Sequence, residues 1–235
     1  IDPIAEKIYG MSPYAYCGGN PVNYVDPDGM DIYRYDEKSK TFSLEVETDD
    51  DFDQIGMFDE VKDEDGNIRY VLQTRGKKSK PRIRMNRIAK GILRHGFSFM
   101  IDNIVEAGGE GQVSRGEFED FIKEFTNKYL LEMSGYYYYT KGYNSHLKYV
   151  YISSAKNNSV ESSVVNLEPD NLMRALGILS DVEAYSCWHT HPHSARYDHL
   201  LDSRDDKDIK ERLSVKMPTI KEYIILVYDY DTIYF

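Results

Sequence analysis

The chain has 235 residues, enough for one sizeable core with accessory segments or for two small domains. Its 40 acidic residues outnumber its 29 basic ones, and the net charge of -11 argues against a general affinity for nucleic acid or anionic membranes. With only Cys17 and Cys187, a disulfide framework is excluded, and no apolar run reaches membrane-spanning length. The chain starts at Ile1 without an apolar leader, and we expect it to be the C-terminal part of a larger protein.

Residues 1–30 are dense in proline and glycine, which predicts turns and short extended pieces without an ordinary helix. Three stretches in this segment, D-P-I-A-E-K, S-P-Y-A-Y-C-G-G-N-P-V-N-Y and V-D-P-D-G, resemble the end of the Rhs repeat-associated core. The resemblance implies that residues 1–30 are the end of a large β-rich shell and that a variable C-terminal toxin begins near Met30. It also implies a cognate immunity protein that protects the producing cell.

Rhs shells commonly release the toxin by self-cleavage with a pair of aspartates, and Asp2 and Asp26 occupy the matching Asp-Pro positions. Two carboxylates that share a proton suit such chemistry, because one acts as a base while the other stays protonated. The alternative is that both aspartates only form turns.

Residues 31–85 read as a small β-rich accessory or spacer. The stretches I-Y-R-Y, T-F-S-L-E-V-E and I-R-Y-V-L-Q predict strands of an antiparallel sheet, and Asp65-Gly66-Asn67 marks a hairpin turn before the last. The basic run from Arg75 to Arg84 lacks interleaved aromatic residues, so it indicates a solvated or internally paired linker more than a nucleic-acid contact. Ile88 to Val105 predicts one or two helices broken near Gly96.

Residues 86–235 read as one α+β domain with a mixed, largely antiparallel sheet flanked by helices. Ser114 and Glu117 form a capping box for a helix whose apolar face, from Phe118 to Leu130, predicts a core contact. Strands are expected over 136–139, 147–152, 184–188, 223–228 and 232–235, and further helices after Pro169 and from Ser203 to about Leu213.

The stretch from Tyr185 to Asp206 carries the candidate site. His189 and His191 are two residues apart at the end of a predicted strand, so both imidazoles leave the same face. Ser203 reads as a helix N-cap with Asp206 at the third helical position. Two imidazoles and the Asp206 carboxylate suit Zn²⁺ and leave a fourth position open, which implies catalysis. His193 and His199 match no position of this ligand pattern and are expected to be loop residues. Cys187 is expected to be buried rather than nucleophilic.

The order E-x-x-G at Glu132, H-T-H-P at His189 and S-x-x-D at Ser203 resembles the JAMM metalloprotease family, which has the JAB/MPN fold. The resemblance implies that His189, His191 and Asp206 are zinc ligands and that Glu132 is the general acid/base. It also implies that Ser203 steadies the reacting oxygen. Tyr136 to Tyr139 depart from the aliphatic run usual in that family, which predicts a half-exposed strand.

The sequence therefore predicts a zinc-dependent peptidase or isopeptidase that is the C-terminal toxin of an Rhs-type polymorphic toxin. It would be secreted or delivered into a competing cell, would act on a protein or peptide in that cell's cytoplasm, and would not bind nucleic acid. Two alternatives stay open. One is a metal-free JAB-like module that binds a protein tail without cutting it, and the other is a metal-dependent nuclease toxin. A purely structural reading also fits each of these residues: Ser203 and Asp206 could only cap a helix, and Glu132 could be a solvated residue at a helix end.

Overall fold

A computed structural model describes residues 31–48, 51–76, 80–101, 103–157, 177, 180–191, 211–212, 215–227 and 233–234. The predictions for residues 1–30, including Asp2 and Asp26, and for the helix after Pro169 lie outside these residues. Of the helix expected to follow Ser203, the structure describes Glu211 and Arg212, which are helical. No helix in the described part of the chain is long and apolar enough to cross a membrane.

The chain divides into two compact units. The first comprises Ile1–Arg34 and Leu44–Arg87, and the second comprises Tyr35–Ser43 and Ile88–Phe235. The sequence analysis set the boundary at residues 85/86 and gave no sign that Tyr35–Ser43 belongs with the later part of the chain.

Short strands make up the described chain up to residue 89. They are β1 (Asp31–Asp36), β2 (Thr41–Val46), β3 (Phe52–Gly56), β4 (Phe58–Lys62), β5 (Ile68–Leu72), β6 (Thr74–Arg75), β7 (Lys80–Pro81) and β8 (Ile83–Ala89). Four of them form a sheet in the order β2-β1-β3-β8, while β4 pairs with β5 and β6 with β7. The expected hairpin turn is confirmed between β4 and β5, where the Asp63 carboxylate accepts a 2.7 Å hydrogen bond from the Asn67 amide. The expected purely antiparallel sheet is wrong, because β1 and β3 run parallel.

The helices expected between Ile88 and Val105 are absent from the described residues of this segment. Strand β8 ends at Ala89, turns follow, and β9 (Ile104–Glu106) closes the segment. Gly91 and Gly96 take positive φ angles of 92° and 80°, a conformation that interrupts a right-handed helix. Ile92 and Phe97 lie in these turns and are fully buried, so the apolar residues of this segment reach the core without a helix.

Among the residues that the structure describes, one long helix and a six-stranded sheet form most of the second unit. Helix α1 (Arg115–Tyr129) begins at the predicted capping box of Ser114 and Glu117. The later strands are β10 (Leu131–Thr140), β11 (Leu147–Asn157), β12 (Val182–His191), β13 (Glu222–Val227) and β14 (Ile233–Tyr234). The sheet order is β14-β13-β12-β10-β11-β9, with β12 and β13 parallel and the other pairs antiparallel. The described residues therefore form an α+β fold with a mixed, largely antiparallel sheet, as expected, and they contain mostly strands and one long helix.

Both faces of this sheet are covered near its centre. On one face Phe118 of α1 packs edge-on against Tyr137 and Trp188, with ring centroids 6.2 and 5.5 Å apart. On the other face Tyr136 and Tyr138 belong to a buried cluster. Tyr136, Tyr137 and Tyr138 are fully buried, so the prediction of a half-exposed tyrosine strand is wrong. Tyr137 packs against α1, while Tyr136 and Tyr138 point into the buried cluster on the other face. Both neighbours exclude water, so all three tyrosine rings occupy core positions.

Gly135 tests how tightly β10 is enclosed. A Cβ at this position would overlap the carbonyl oxygen of Tyr151 and would stand 2.5 Å from Cζ2 of the Trp188 indole. We expect Gly135→Ala to lower the free energy of unfolding by roughly 3 kcal/mol, because backbone and a buried ring must both shift. Gly116 in α1 has open space around it, so Gly116→Ala should raise stability by about 0.5–1 kcal/mol. Urea denaturation of both variants measures the contrast, and equal effects would contradict it.

Candidate active site

His189 and His191 lie at the end of β12 with their rings together. Their Nε2 atoms are 2.8 Å apart, and the ring planes meet edge to face at a centroid distance of 4.7 Å. His189 is only 3% exposed, and its ring lies 5.3 Å from the ring of Tyr223 on the neighbouring strand. The two imidazoles therefore share one face of the sheet, as their spacing predicts, and their Nε2 atoms converge.

Glu132 lies on the adjacent strand, β10. In the β10–β12 pair Ser134 faces His189, and the amide nitrogen of Met133 is 3.0 Å from the Thr190 hydroxyl. The backbone pairing ends at Ser134 and His189, and the same register continued by two residues would bring Glu132 opposite His191. Strand alternation puts the Glu132 side chain on the face that carries both imidazoles. Glu132 is half-buried. The residue expected to act as acid and base is thus on the same face as two of the expected ligands.

Thr190, between the two histidines, points to the opposite face and is fully buried. Its Oγ1 accepts hydrogen bonds from Thr126 Oγ1 of α1 at 2.9 Å and from the Met133 amide at 3.0 Å. The sequence analysis did not single out this residue. The signal was present, because a hydroxyl residue between two same-face histidines must point into the core.

Hydroxyl groups continue along the histidine-bearing face. Ser134 is fully buried, and its Oγ lies 3.1 Å from Oγ of Ser153, which is the extra residue of a β-bulge in β11. Ser153 also lines a cavity of about 350 Å³. The cavity wall combines apolar and polar side chains, among them Phe99, Met100, Ile101, Asn103 and Ser154. Ser134 thus links the histidine-bearing strand pair to Ser153, which lines this cavity.

The two imidazoles meet the requirements of a metal site in part. At 2.8 Å, one Nε2–H donates to the other ring, whereas a metal needs the lone pair of both nitrogens. Two nitrogen ligands of a tetrahedral zinc, each at about 2.0–2.1 Å, stand about 3.3 Å apart, so the rings would separate by about 0.5 Å. A side-chain adjustment of this size is small, and the donor set suits zinc.

The rest of the predicted ligand set lies outside the described residues. Asp206, Ser203, His193 and His199 belong to that part of the chain. Within the residues that the structure describes, no group of three or more His, Cys, Asp or Glu side chains could hold a metal ion. The structure thus brings together His189 and His191, with Glu132 on the same face of the neighbouring strand, and leaves the third ligand and the oxyanion donor as predictions.

Cys187 is buried, as expected. It lies on the histidine-bearing face within the buried cluster that includes Tyr136 and Tyr223. Burial raises the pKa of its thiol to about 12. A thiol with this pKa is almost wholly protonated at neutral pH, so Cys187 is not a nucleophile in this site.

Thiol labelling tests the burial of Cys187. In a Cys17→Ser variant we expect DTNB at about pH 8 to react at least about 100-fold more slowly with the folded protein than with the unfolded protein, because folding removes both access and thiolate. Absorbance of the released thiolate gives both rates. Rapid labelling of the folded protein would contradict the buried position of β12.

Comparison of the chain with protein-family profiles, curated proteins and solved structures finds no match in any of the three. The resemblances to the Rhs core and to the JAMM family therefore rest on the quoted motifs alone.

Proposed function

We propose that this chain is a JAMM-like zinc peptidase or isopeptidase and the C-terminal toxin of an Rhs-type protein. One observation carries the enzymatic part: the Nε2 atoms of His189 and His191 converge to 2.8 Å at the end of β12, and strand alternation puts Glu132 of the neighbouring β10 on the same face. The α+β sheet with its parallel β12–β13 pair and its packed helix is compatible with a JAB/MPN-like fold.

In this proposal His189, His191 and Asp206 hold the zinc ion. When bound, zinc would polarise a scissile carbonyl and lower the pKa of a bound water to about 7. Glu132 accepts the proton of the attacking water and transfers it to the leaving amine as the carbon–nitrogen bond breaks. The Ser203 hydroxyl donates a hydrogen bond to the oxygen that gains charge.

The protein around the histidines supports this role because it restricts their movement. Trp188 and Thr190, which flank His189, are fully buried on the face that α1 covers. His191 is paired through its backbone with Val227 of β13. Ligands on a strand held from both sides are already ordered before a metal binds, which lowers the entropic cost of binding.

The toxin role rests on the Rhs-like motifs of residues 1–30. On this proposal the parent shell delivers the chain into a competing cell, where it cuts a protein or peptide in the cytoplasm. The producing cell protects itself with a cognate immunity protein. The net charge of -11 fits a protein substrate better than a nucleic acid.

Metal content separates an enzyme from a binding module. We expect about one zinc per chain after purification from zinc-replete medium, and we expect His189→Ala and His191→Ala each to abolish it because each removes a ligand. His146 lies in the exposed loop between β10 and β11, so His146→Ala is the matched control and should keep its zinc. Inductively coupled plasma mass spectrometry measures the ratio. A wild-type protein without zinc would favour the binding module and exclude the enzyme.

Expression in bacteria tests the reaction. We expect the wild type to stop growth and Glu132→Gln to be tolerated, because the amide cannot accept the proton of the attacking water. Glu110 is exposed beyond β9, and Glu110→Gln serves as the control that should remain toxic. N-terminal proteomics should detect new protein termini with the wild type and Glu110→Gln and not with Glu132→Gln, whereas an isopeptidase would instead remove lysine-linked branches, which a lysine-branch proteomic assay detects. Degradation of DNA or RNA that survives Glu132→Gln would instead identify a nuclease.

A further inference from the structure

Thr190 is a buried hydroxyl residue that the proposed reaction does not use. We propose that Thr190 is a positioning residue whose hydroxyl holds Glu132 opposite His191. Its consequence for catalysis rests on the proposed function, whereas the positioning itself is a property of the metal-free chain.

The hydroxyl of Thr190 links two strands and a helix. Its oxygen accepts from Thr126 Oγ1 of α1 and from the Met133 amide, and its own proton faces the Met133 carbonyl oxygen at 3.4 Å. A hydroxyl has one donor and two acceptor positions, so these contacts occupy all three. Thr126 and Thr190 are both fully buried, and water cannot replace these bonds.

The Met133 bond acts at the backbone of Glu132. The paired residues of β10 and β12 run from Thr140 opposite Val182 to Ser134 opposite His189. Beyond that pair, the N–H that follows Glu132 in the chain is held by the Thr190 side chain at 3.0 Å. The hydroxyl therefore fixes the peptide group joining Glu132 to Met133 at the point where the backbone pairing ends.

The hydrogen bond between the Met133 amide and the Thr190 hydroxyl determines where Glu132 lies relative to the two histidines. The histidines lie on β12 on either side of Thr190, whereas Glu132 lies on β10. Because the two histidines share one strand, their spacing does not depend on the Thr190 hydroxyl. The distance from Glu132 to the histidines spans two strands, and it depends on whatever fixes the end of β10 against β12.

Three variants separate this role from a general contribution to stability. Thr190→Val keeps the β-branched shape and removes the hydroxyl, and Thr190→Ser keeps the hydroxyl. Thr126→Val also removes a buried hydroxyl from the same network but leaves the bond between Thr190 and Met133. Both valine variants lose a hydrogen bond of the core, and only Thr190→Val releases Glu132.

Nuclear magnetic resonance of the metal-free protein gives the first measurement. We expect Thr190→Val to speed hydrogen exchange of the Met133 amide by about 10-fold or more relative to the Tyr136 amide, and to weaken the cross-strand NOEs between Glu132 and His191. Thr190→Ser and Thr126→Val should keep both signals. If Thr190→Val does not fold, Thr190→Cys, with similar volume and a weaker donor and acceptor, replaces it. Unchanged exchange and NOEs in the hydroxyl-free variant would overturn the proposal.

Kinetics of the zinc-loaded protein give the second measurement, on a synthetic peptide spanning a site that the wild type cuts in cells. We expect Thr190→Val to keep its zinc and a KM within about threefold of wild type, and to lose about 10- to 100-fold in kcat. Thr126→Val should keep its kcat. A wild-type kcat for zinc-loaded Thr190→Val would refute the catalytic consequence. A wild type that binds no zinc would refute the proposed function, and the exchange data would still decide the positioning.

Discussion

The antiparallel pairing of β10 with β12 is the constraint on which the rest of the site depends. It sets Ser134 opposite His189 and Gly135 opposite Trp188, so that polar groups face one side and the indole faces the helix. A shift by one residue would move every side chain of one strand to the other face. Gly135 and Trp188 oppose such a shift, because a side chain in place of the hydrogen of Gly135 would overlap the indole. The pairing thus keeps Glu132 and the two histidines on a common face.

Helix α1 reinforces this pairing through polar contacts as well as ring packing. Arg115 forms a salt bridge with Glu119 within the helix at 2.8 Å and a second one with Glu222 at the start of β13 at 3.1 Å. Glu222 in turn accepts a 2.7 Å hydrogen bond from Ser186 of β12. The helix is therefore anchored at its first turn to two strands, and near its last turn to Thr190 through Thr126. These contacts hold α1 against the sheet, whereas the separate bond from the Met133 amide to Thr190 links the end of β10 to β12.

Sequence patterns were sufficient to predict those features that depend only on residues close together in the chain. The capping box of Ser114 and Glu117 predicted the start of α1, and the two-residue spacing of His189 and His191 predicted their shared face. Prediction failed where distant contacts decide. The apolar residues around Ile92 are buried through turns with positive φ at Gly91 and Gly96, and the core buries Tyr136 to Tyr138 on two sides. That Glu132 shares a face with the histidines required the strand register, because the 56 residues between Glu132 and His189 carry no distance information.

The central claim is that His189 and His191 are two of the ligands of one zinc ion that completes its shell with oxygen donors. X-ray absorption at the zinc edge of the purified protein tests this claim most directly. We expect two imidazole ligands at about 2.0–2.1 Å with oxygen in the remaining positions and no sulfur, and no zinc signal from His191→Ala, which has lost a ligand. A spectrum with sulfur ligands, or one that His191→Ala leaves unchanged, would contradict it.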